Sequence, residues 1–483
     1  MNNSKIKASS KSEDTLKLNY RRTFIIGFAF FGILLLWQVY DSWCPTFLTE
    51  LFREALGTTD HEEVQYLVGL MMALDNLAAL IMLPIFGKLS DKTHTKIGKR
   101  MPYILVGTFL CAVAFPFVPV FFHYHNLVGT IIMMAIVVFF AMMYRNPAVS
   151  LMPDITPKPL RSKANGIINI MGYIGGAFAL VVGLIFVLSK YLGNNAFLWI
   201  NNEANIWLIE GPFLVASILM IISALVLFFS INENKIAEEV AEDMARGEKL
   251  AEIESSVEED ESKPMSKANK TMLILILCAE FLWFMSDNGI GTFMGNYTLY
   301  YLGCSTSSNM INLFVGGVGS VIGFLAGGTL ASKIGRKWTV FSGLGLSLLS
   351  LVVWAIISYS TNVPSSTFGS NTFPIYLYFI WFFKGLGMSL VHVNSYPMVV
   401  ELCSNKKIGR FTGLYYASSM AAQTITPCLL GLILKIEGVS FQFLPIYGAA
   451  CLLGSFIIFA FVKSAGNKKT TIKKGLEALD VED

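Results

Sequence analysis

Residues 37–47 read WQVYDSWCPTF, and residues 283–293 read WFMSDNGIGTF. Trp37, Asp41, Thr46 and Phe47 each return 246 positions later, as Trp283, Asp287, Thr292 and Phe293. Both stretches sit inside long apolar runs, and the interval is about half of the 483 residues. Self-similarity at that spacing points to two copies of one architecture in a single chain.

Working outward, apolar runs recur along nearly the whole sequence. Hydrophobic residues make up 54% of the chain and charged residues 14%, where soluble domains carry roughly a quarter charged. Runs of bilayer length, about 20 residues, fall near 23–48, 64–88, 102–122, 127–150, 164–189, 211–231, 271–301, 310–332, 338–359, 374–400, 411–434 and 440–463. Hydrocarbon offers no water to pair a backbone group, so each run must be a helix. The expected fold is an all-α polytopic membrane protein with twelve transmembrane helices in two six-helix bundles. Its parts are an N-terminal segment 1–22, a bundle 23–231, an acidic linker 232–270, a second bundle 271–463 and a tail 464–483.

Of the 36 Lys and Arg, 32 fall on the side of the termini and the linker. Arg53, Lys190 and Lys435 lie opposite, and Lys384 lies within a span. Lys and Arg are retained in cytoplasmic loops, so both termini are expected in the cytoplasm of a bacterial cell whose cytoplasmic membrane the chain spans. The long apolar run from Thr23 is not a cleavable signal. In the linker, Ile236, Val240 and Met244 recur at helical spacing before Glu258-Glu259-Asp260-Glu261, which predicts an amphipathic helix or, alternatively, a disordered acidic tether.

The loop after the second run reads Gly87-Lys-Leu-Ser-Asp91-Lys92, then Gly98-Lys99-Arg100. The loop after the eighth reads Gly328-Thr-Leu-Ala-Ser332-Lys333, then Gly335-Arg336-Lys337. Asn146, Asp154 and Arg161 find counterparts in Asn394, Glu401 and Arg410. The glycines let span ends approach, and Asp91 can meet a helix N-terminus or an arginine. These residues, with Arg145, read as a cytoplasmic gate, weaker in the second copy where Ser332 replaces the acid. Arg145 can pair with Asp154 or a lipid phosphate.

Six spans, a linker and six similar spans resemble the major facilitator transporters, and the loop resembles that superfamily's signature. The longer first loop, Asp91 to Tyr103, looks like that of the glycoside–pentoside–hexuronide:cation symporters and the sucrose-transporter-like group. Arg145-Asn146-Pro147-Ala148 and Pro153-Asp154-Ile-Thr156-Pro157 add to this resemblance. It implies cation symport of a neutral sugar, a disaccharide or glycoside. In the melibiose-carrier branch, sodium-binding acids stand one and five positions before the span-2 proline. Here Leu83 and Ala79 precede Pro84 in those places, so a proton is the expected coupling ion and sodium the alternative.

Five ionisable residues lie inside spans: Asp41, Asp75, Glu280, Asp287 and Lys384. Each costs roughly 2.5–3.5 kcal/mol at a helix centre, and they persist where they face one another or a wet cavity. They are the expected proton-coupling set, with Lys384 pairing Glu280 or Asp287, and His392 reads as a lone satisfied histidine before a relay member. Sugar recognition needs aromatic faces and convergent polar groups. Trp37, Tyr40, Asn76, Trp283, Asn288, Asn296, Tyr297, Trp381, Asn394 and Gln423 supply them. Gly316, Gly317, Gly319, Gly323 and Gly327 read as close helix packing.

The seven cysteines show no metal-ligand spacing, and no Walker sequence or nucleophile–base pair occurs, so no metal, cofactor, ATP-driven transport or enzyme activity is expected. The expected partners are the bilayer and a small polar solute, with no nucleic acid and a functional monomer. Competing functions are sodium-coupled sugar symport, transport of another solute (nucleoside uptake or drug export), and a nutrient sensor that binds without transporting.

Overall fold

A computed structural model describes residues 16–192, 205–256, 267–360, 371–402 and 408–463. Residues 1–15 of the expected segment 1–22, the acidic run Glu258–Glu261, the loop lysines Lys406 and Lys407, and the tail 464–483 lie outside the described residues. Among the described residues, twelve helices are long and apolar enough to cross a membrane. They are α1 (Tyr20–Leu56), α2 (Gln65–Lys92), α3 (Met101–His123), α4 (Leu127–Asp154), α5 (Lys163–Leu192) and α6 (Trp207–Ser230). After the linker come α7 (Lys267–Tyr301), α8 (Thr306–Ile334), α9 (Arg336–Ser360), α10 (Ile375–Glu401), α11 (Phe411–Leu434) and α12 (Phe441–Ala460). All twelve expected spans are present. The largest difference is α1, which continues to Leu56 instead of stopping near residue 48. Its last turns carry Glu50 and Arg53 as a buried pair, Nη1 to Oε2 at 3.1 Å, so they pack although they are not apolar.

The packing repeats as the sequence does. Within the first half α1 lies on α5 and α6, α2 on α4, and α3 on α4 and α6. Six helices on, α7 lies on α11 and α12, α8 on α10, and α9 on α10 and α12. Between halves α2 meets α11 and α5 meets α8. The α2–α11 approach is backbone to backbone, since any Cβ on Gly69 would strike the Pro427 carbonyl and any on Gly431 the Gln65 carbonyl. Outward-facing side chains such as Ile81, Phe109, Phe229 and Ile375 are large and apolar, as lipid requires.

The expected linker helix appears as two, Glu233–Glu239 and Ala241–Ser256. The buried Glu233 carboxylate accepts from the backbone N–H groups of Lys99, Arg100 and Met101 at 3.0–3.2 Å. It thereby satisfies donors that the first turn of α3 leaves unpaired and complements the positive end of the helix. Gly98 sits at φ +118°, where a Cβ would collide with Glu233. Ile236 is buried beneath this contact. These loops and the linker define one face of the bundle, the linker face. The opposite one is called the far face.

On α8 the glycine stripe does what its spacing predicts, with Gly316 against Trp381, Gly319 against the Phe382 backbone and Gly327 against Val393, all on α10. Gly319→Val should therefore force α8 from α10, cost about 1–3 kcal/mol and lower the Tm of the detergent-solubilised protein. Gly317→Ala, where a Cβ has open space, should leave Tm unchanged. Equal Tm for the two variants would contradict this packing.

Candidate functional site

Three of the intramembrane acids, Asp41, Asp75 and Asp287, hang on α1, α2 and α7. Asp75 is ten residues into α2, about 15 Å from its end at 1.5 Å per residue. The Tyr40 hydroxyl of α1 donates to its Oδ2 at 2.5 Å. Asp41 lies within electrostatic reach of Asp75. Among the described residues, neither acid forms an ion pair with Lys, Arg or His. Trp37 stands edge-on to Tyr40 with ring centroids 5.7 Å apart. Asn76 bonds across the halves, its Nδ2 donating to the Gln423 carbonyl at 3.2 Å.

The second half answers this acid cluster with an ion pair. Lys384 of α10 donates to Asp287 of α7, and its ammonium sits 5.6 Å from the Trp381 ring centroid. The pair opens on a cavity of about 220 Å³ lined by Asp287, Ser320, Phe324, Trp381, Lys384 and His392, among others. Lys384, Met388 and His392 follow one another at four-residue intervals, one stripe of α10. Ser320 and Phe324 supply the facing stripe of α8. Sequence reading had missed those two, although the same four-residue spacing marks them.

Other expected residues lie elsewhere. Glu280 is wholly buried, two turns before Asp287, and neither of its carboxylate oxygens has a hydrogen-bond partner among the described residues. Tyr415 of α11 is close enough to feel its charge. The expected alternative pairing of Lys384 with Glu280 is therefore not formed. Trp283 is fully buried, its indole N–H unpaired, as is the Asn288 side-chain oxygen. Tyr297 packs with Trp354, whose Nε1 donates to its hydroxyl at 3.2 Å. Asn394 is buried and donates to the Leu390 carbonyl of its own helix. Asn296 belongs to a buried polar cluster at the far face, with Thr46, Thr49 and Gln65.

At the linker face Arg100 is the hub of the gate motif. It pairs with Asp91, with Asp154 at 2.8 Å, and with the Ser90 hydroxyl at 2.5 Å. Lys99 also reaches Asp154 at 3.0 Å. Asp154 is thus occupied by Lys99 and Arg100, and the expected Arg145–Asp154 pair is not formed. Arg161 donates to the carbonyls of Pro153 and Thr156. A Cβ on Gly87 would meet the Asn146 amide at 2.7 Å. In the second copy Arg336 pairs with Glu401 at 2.9 Å, the counterpart of Lys99 with Asp154. Ser332 only caps a carbonyl of its own helix, and the Lys337 ammonium rests over Trp338.

A double-mutant cycle tests the central ion pair. Lys384→Met should lower the Tm of the purified protein and Asp287→Asn in the same chain should recover much of the loss. The coupling should lie near the low end of roughly 0.5–3 kcal/mol, since Asp287 is 36% exposed and partly screened. A double variant whose loss equals the sum of the losses of Lys384→Met and of Asp287→Asn measured singly would show the two groups to be uncoupled.

Comparison with known proteins adds the following. The chain matches the family model described as Major Facilitator Superfamily over residues 30–369 and again over 276–480. No curated protein matches it. Among solved structures, the inward open conformation of the xylose transporter XylE from E. coli superposes with TM-score 0.63 at 15% identity, covering 94% of this chain and 98% of that one. A D-xylose-proton symporter gives TM-score 0.64 at 16% identity, covering 92% and 99%. The nucleoside transporter NupG gives 0.57 at 13%, covering 91% and 99%. At such identities the likeness is one of fold.

Proposed function

We propose that this chain, which belongs to the major facilitator superfamily and is an integral membrane transporter, imports a neutral sugar together with a proton across a bacterial cytoplasmic membrane. Both termini and the linker face the cytoplasm in this reading, on the strength of the Lys and Arg distribution, and a monomer suffices. The observation that carries the proposal is the division of labour between the halves. Asp75 and Asp41 have a hydroxyl but no cation beside them, whereas Asp287 already has Lys384. A carboxylate without a counter-charge in a low-dielectric site is the group whose charge a proton best relieves. Asp75, hydrogen-bonded to Tyr40, is therefore the proton carrier, with Asp41 its neighbour in the same centre.

The sugar site then falls to the cavity of the second half. Trp381 offers an aromatic face, Asp287 and Lys384 offer an acceptor and a donor for neighbouring hydroxyls, and Ser320 and His392 widen the polar lining. The cavity's 220 Å³ is below the roughly 300–1,000 Å³ of ligand sites, so side chains of the other half, the half-buried Trp37 first among them, would complete it. Further support comes from the loop and span-4 residues that resemble the glycoside–pentoside–hexuronide group, and from the D-xylose-proton symporter among the structural neighbours. The hydrogen bonds that join the halves through Thr46, Glu50, Asn76 and Ser189 lie from mid-depth to the far face, which suits a transporter whose other face is the one that opens.

The test is uptake by proteoliposomes under an imposed pH gradient with a panel of labelled mono- and disaccharides, nucleosides and peptides. Uphill accumulation of a sugar is expected, and accumulation of only a nucleoside or peptide would overturn the sugar assignment. Asp75→Asn should abolish uphill accumulation while leaving exchange of labelled for unlabelled sugar within a fewfold of wild type. Retained uphill uptake in that variant would remove Asp75 from coupling.

A further inference from the structure

The three helices that carry Asp41, Asp75 and Asp287 meet at the far face. Asn296 of α7 is nine residues beyond Asp287, fully buried, and every bond its carboxamide makes crosses to the other half. Its Oδ1 accepts from the Thr46 hydroxyl of α1 at 3.0 Å. Its Nδ2 donates to Thr49 of α1 at 2.9 Å and to the Gln65 side-chain oxygen of α2 at 3.0 Å. Gln65 in turn donates to the His61 carbonyl at 2.6 Å. Asp41 shares α1 with Thr46, and Asp75 shares α2 with Gln65.

A reciprocal contact stands beside it. The interval of 246 residues that relates Asp41 to Asp287 also relates Glu50 to Asn296. Glu50 of α1 accepts from the Tyr300 hydroxyl of α7 at 2.5 Å and is held by Arg53 at 3.1 Å. His61 stacks on Tyr300, ring centroids 3.9 Å apart, and its Nε2 lies 2.5 Å from Arg53. Burial first, and the Arg53 charge second, push the His61 imidazole down to about 3, so it stays neutral and its Nε2 can accept from the guanidinium. Each half thus offers one polar hub to the other, at repeat-related positions.

We propose that the Asn296 carboxamide, with the Tyr300–Glu50 contact as its repeat-related partner, is the latch that holds the far face shut, and that opening to that face begins when its bonds to Thr46, Thr49 and Gln65 part. A dry, fully bonded amide network is strong because every member left behind would be buried and unpaired. It is also all-or-none for the same reason, which suits a gate. Because the latch grips the helices that bear Asp41, Asp75 and Asp287, a change of charge at those acids and a parting of the latch are movements of the same three rods. Asn296 is in this view a positioning residue, not a sugar contact.

The experiment rests on the transporter reading but needs no sugar, so its failure is separable from failure of the substrate assignment. Cys44, buried on α1 between Asp41 and Thr46, reports opening. A membrane-impermeant maleimide is added at the far face of oriented vesicles, and modification of Cys44 is read by mass spectrometry. Asn296→Ala and Tyr300→Phe should each raise the Cys44 labelling rate at least about tenfold over wild type, a modest shift of a two-state equilibrium. Thr46→Cys combined with Asn296→Cys, oxidised, should suppress labelling below wild type and recover with reductant. Wild-type labelling rates in both single variants, eluting as folded protein on gel filtration, would overturn the proposal. So would an oxidised double variant that labels as fast as its reduced form.

Discussion

Charge in hydrocarbon is the constraint on which the rest of this structure depends. Five ionisable side chains placed within spans would oppose insertion by over ~10 kcal/mol if left bare. The protein deals with them in three ways. Asp287 is given Lys384 at the edge of a cavity. Asp75 is held by the Tyr40 hydroxyl, with Asp41 within electrostatic reach of it. Glu280 is enclosed with no partner among the described residues. These solutions divide unequally between two halves that otherwise pack alike, and that inequality is the physical basis for assigning the proton to one half and the solute to the other.

The same logic organises the two faces. At the linker face two ion-pair clusters each stay within a half: Arg100 with Asp91 and Asp154 in the first, Arg336 with Glu401 in the second. At the far face they run between halves, through Asn296, Tyr300 and Ser189. Bonds inside a half rigidify it as a body, whereas bonds between halves select one relative position of the two bodies. A transporter that alternates access needs both kinds, placed at different depths.

Much of this was legible in the sequence, and the limits have physical causes. Apolar length and the Trp–Asp repeat located all twelve spans, because lipid forces each run to be a helix. The matching positions of Asp154 and Glu401 were legible too, but not their partners: Asp154 pairs with Lys99 and Arg100 instead of the expected Arg145. Hydropathy ended α1 too early because Glu50 and Arg53 look like loop residues until their mutual pairing is seen. Asn296 and Tyr297, chosen as sugar ligands by side-chain type, are buried and are not among the residues lining the cavity. Composition reports which polar groups a span carries, but the direction each one faces depends on helix rotation. Two residues of error around a helix turn a cavity residue into an interface residue. Ser320 and Phe324 were missed for the converse reason, being ordinary residue types that matter only because α10 presents Lys384 and His392 opposite them.

The measurement that bears most directly on the central claim is proton movement evoked by solute in sealed proteoliposomes carrying an internal pH-sensitive dye, with no gradient imposed. Adding the transported sugar outside should acidify the lumen in the wild type, independently of sodium, and should not do so in Asp75→Asn. Sugar entry without acidification, or acidification that persists in Asp75→Asn, would contradict the account.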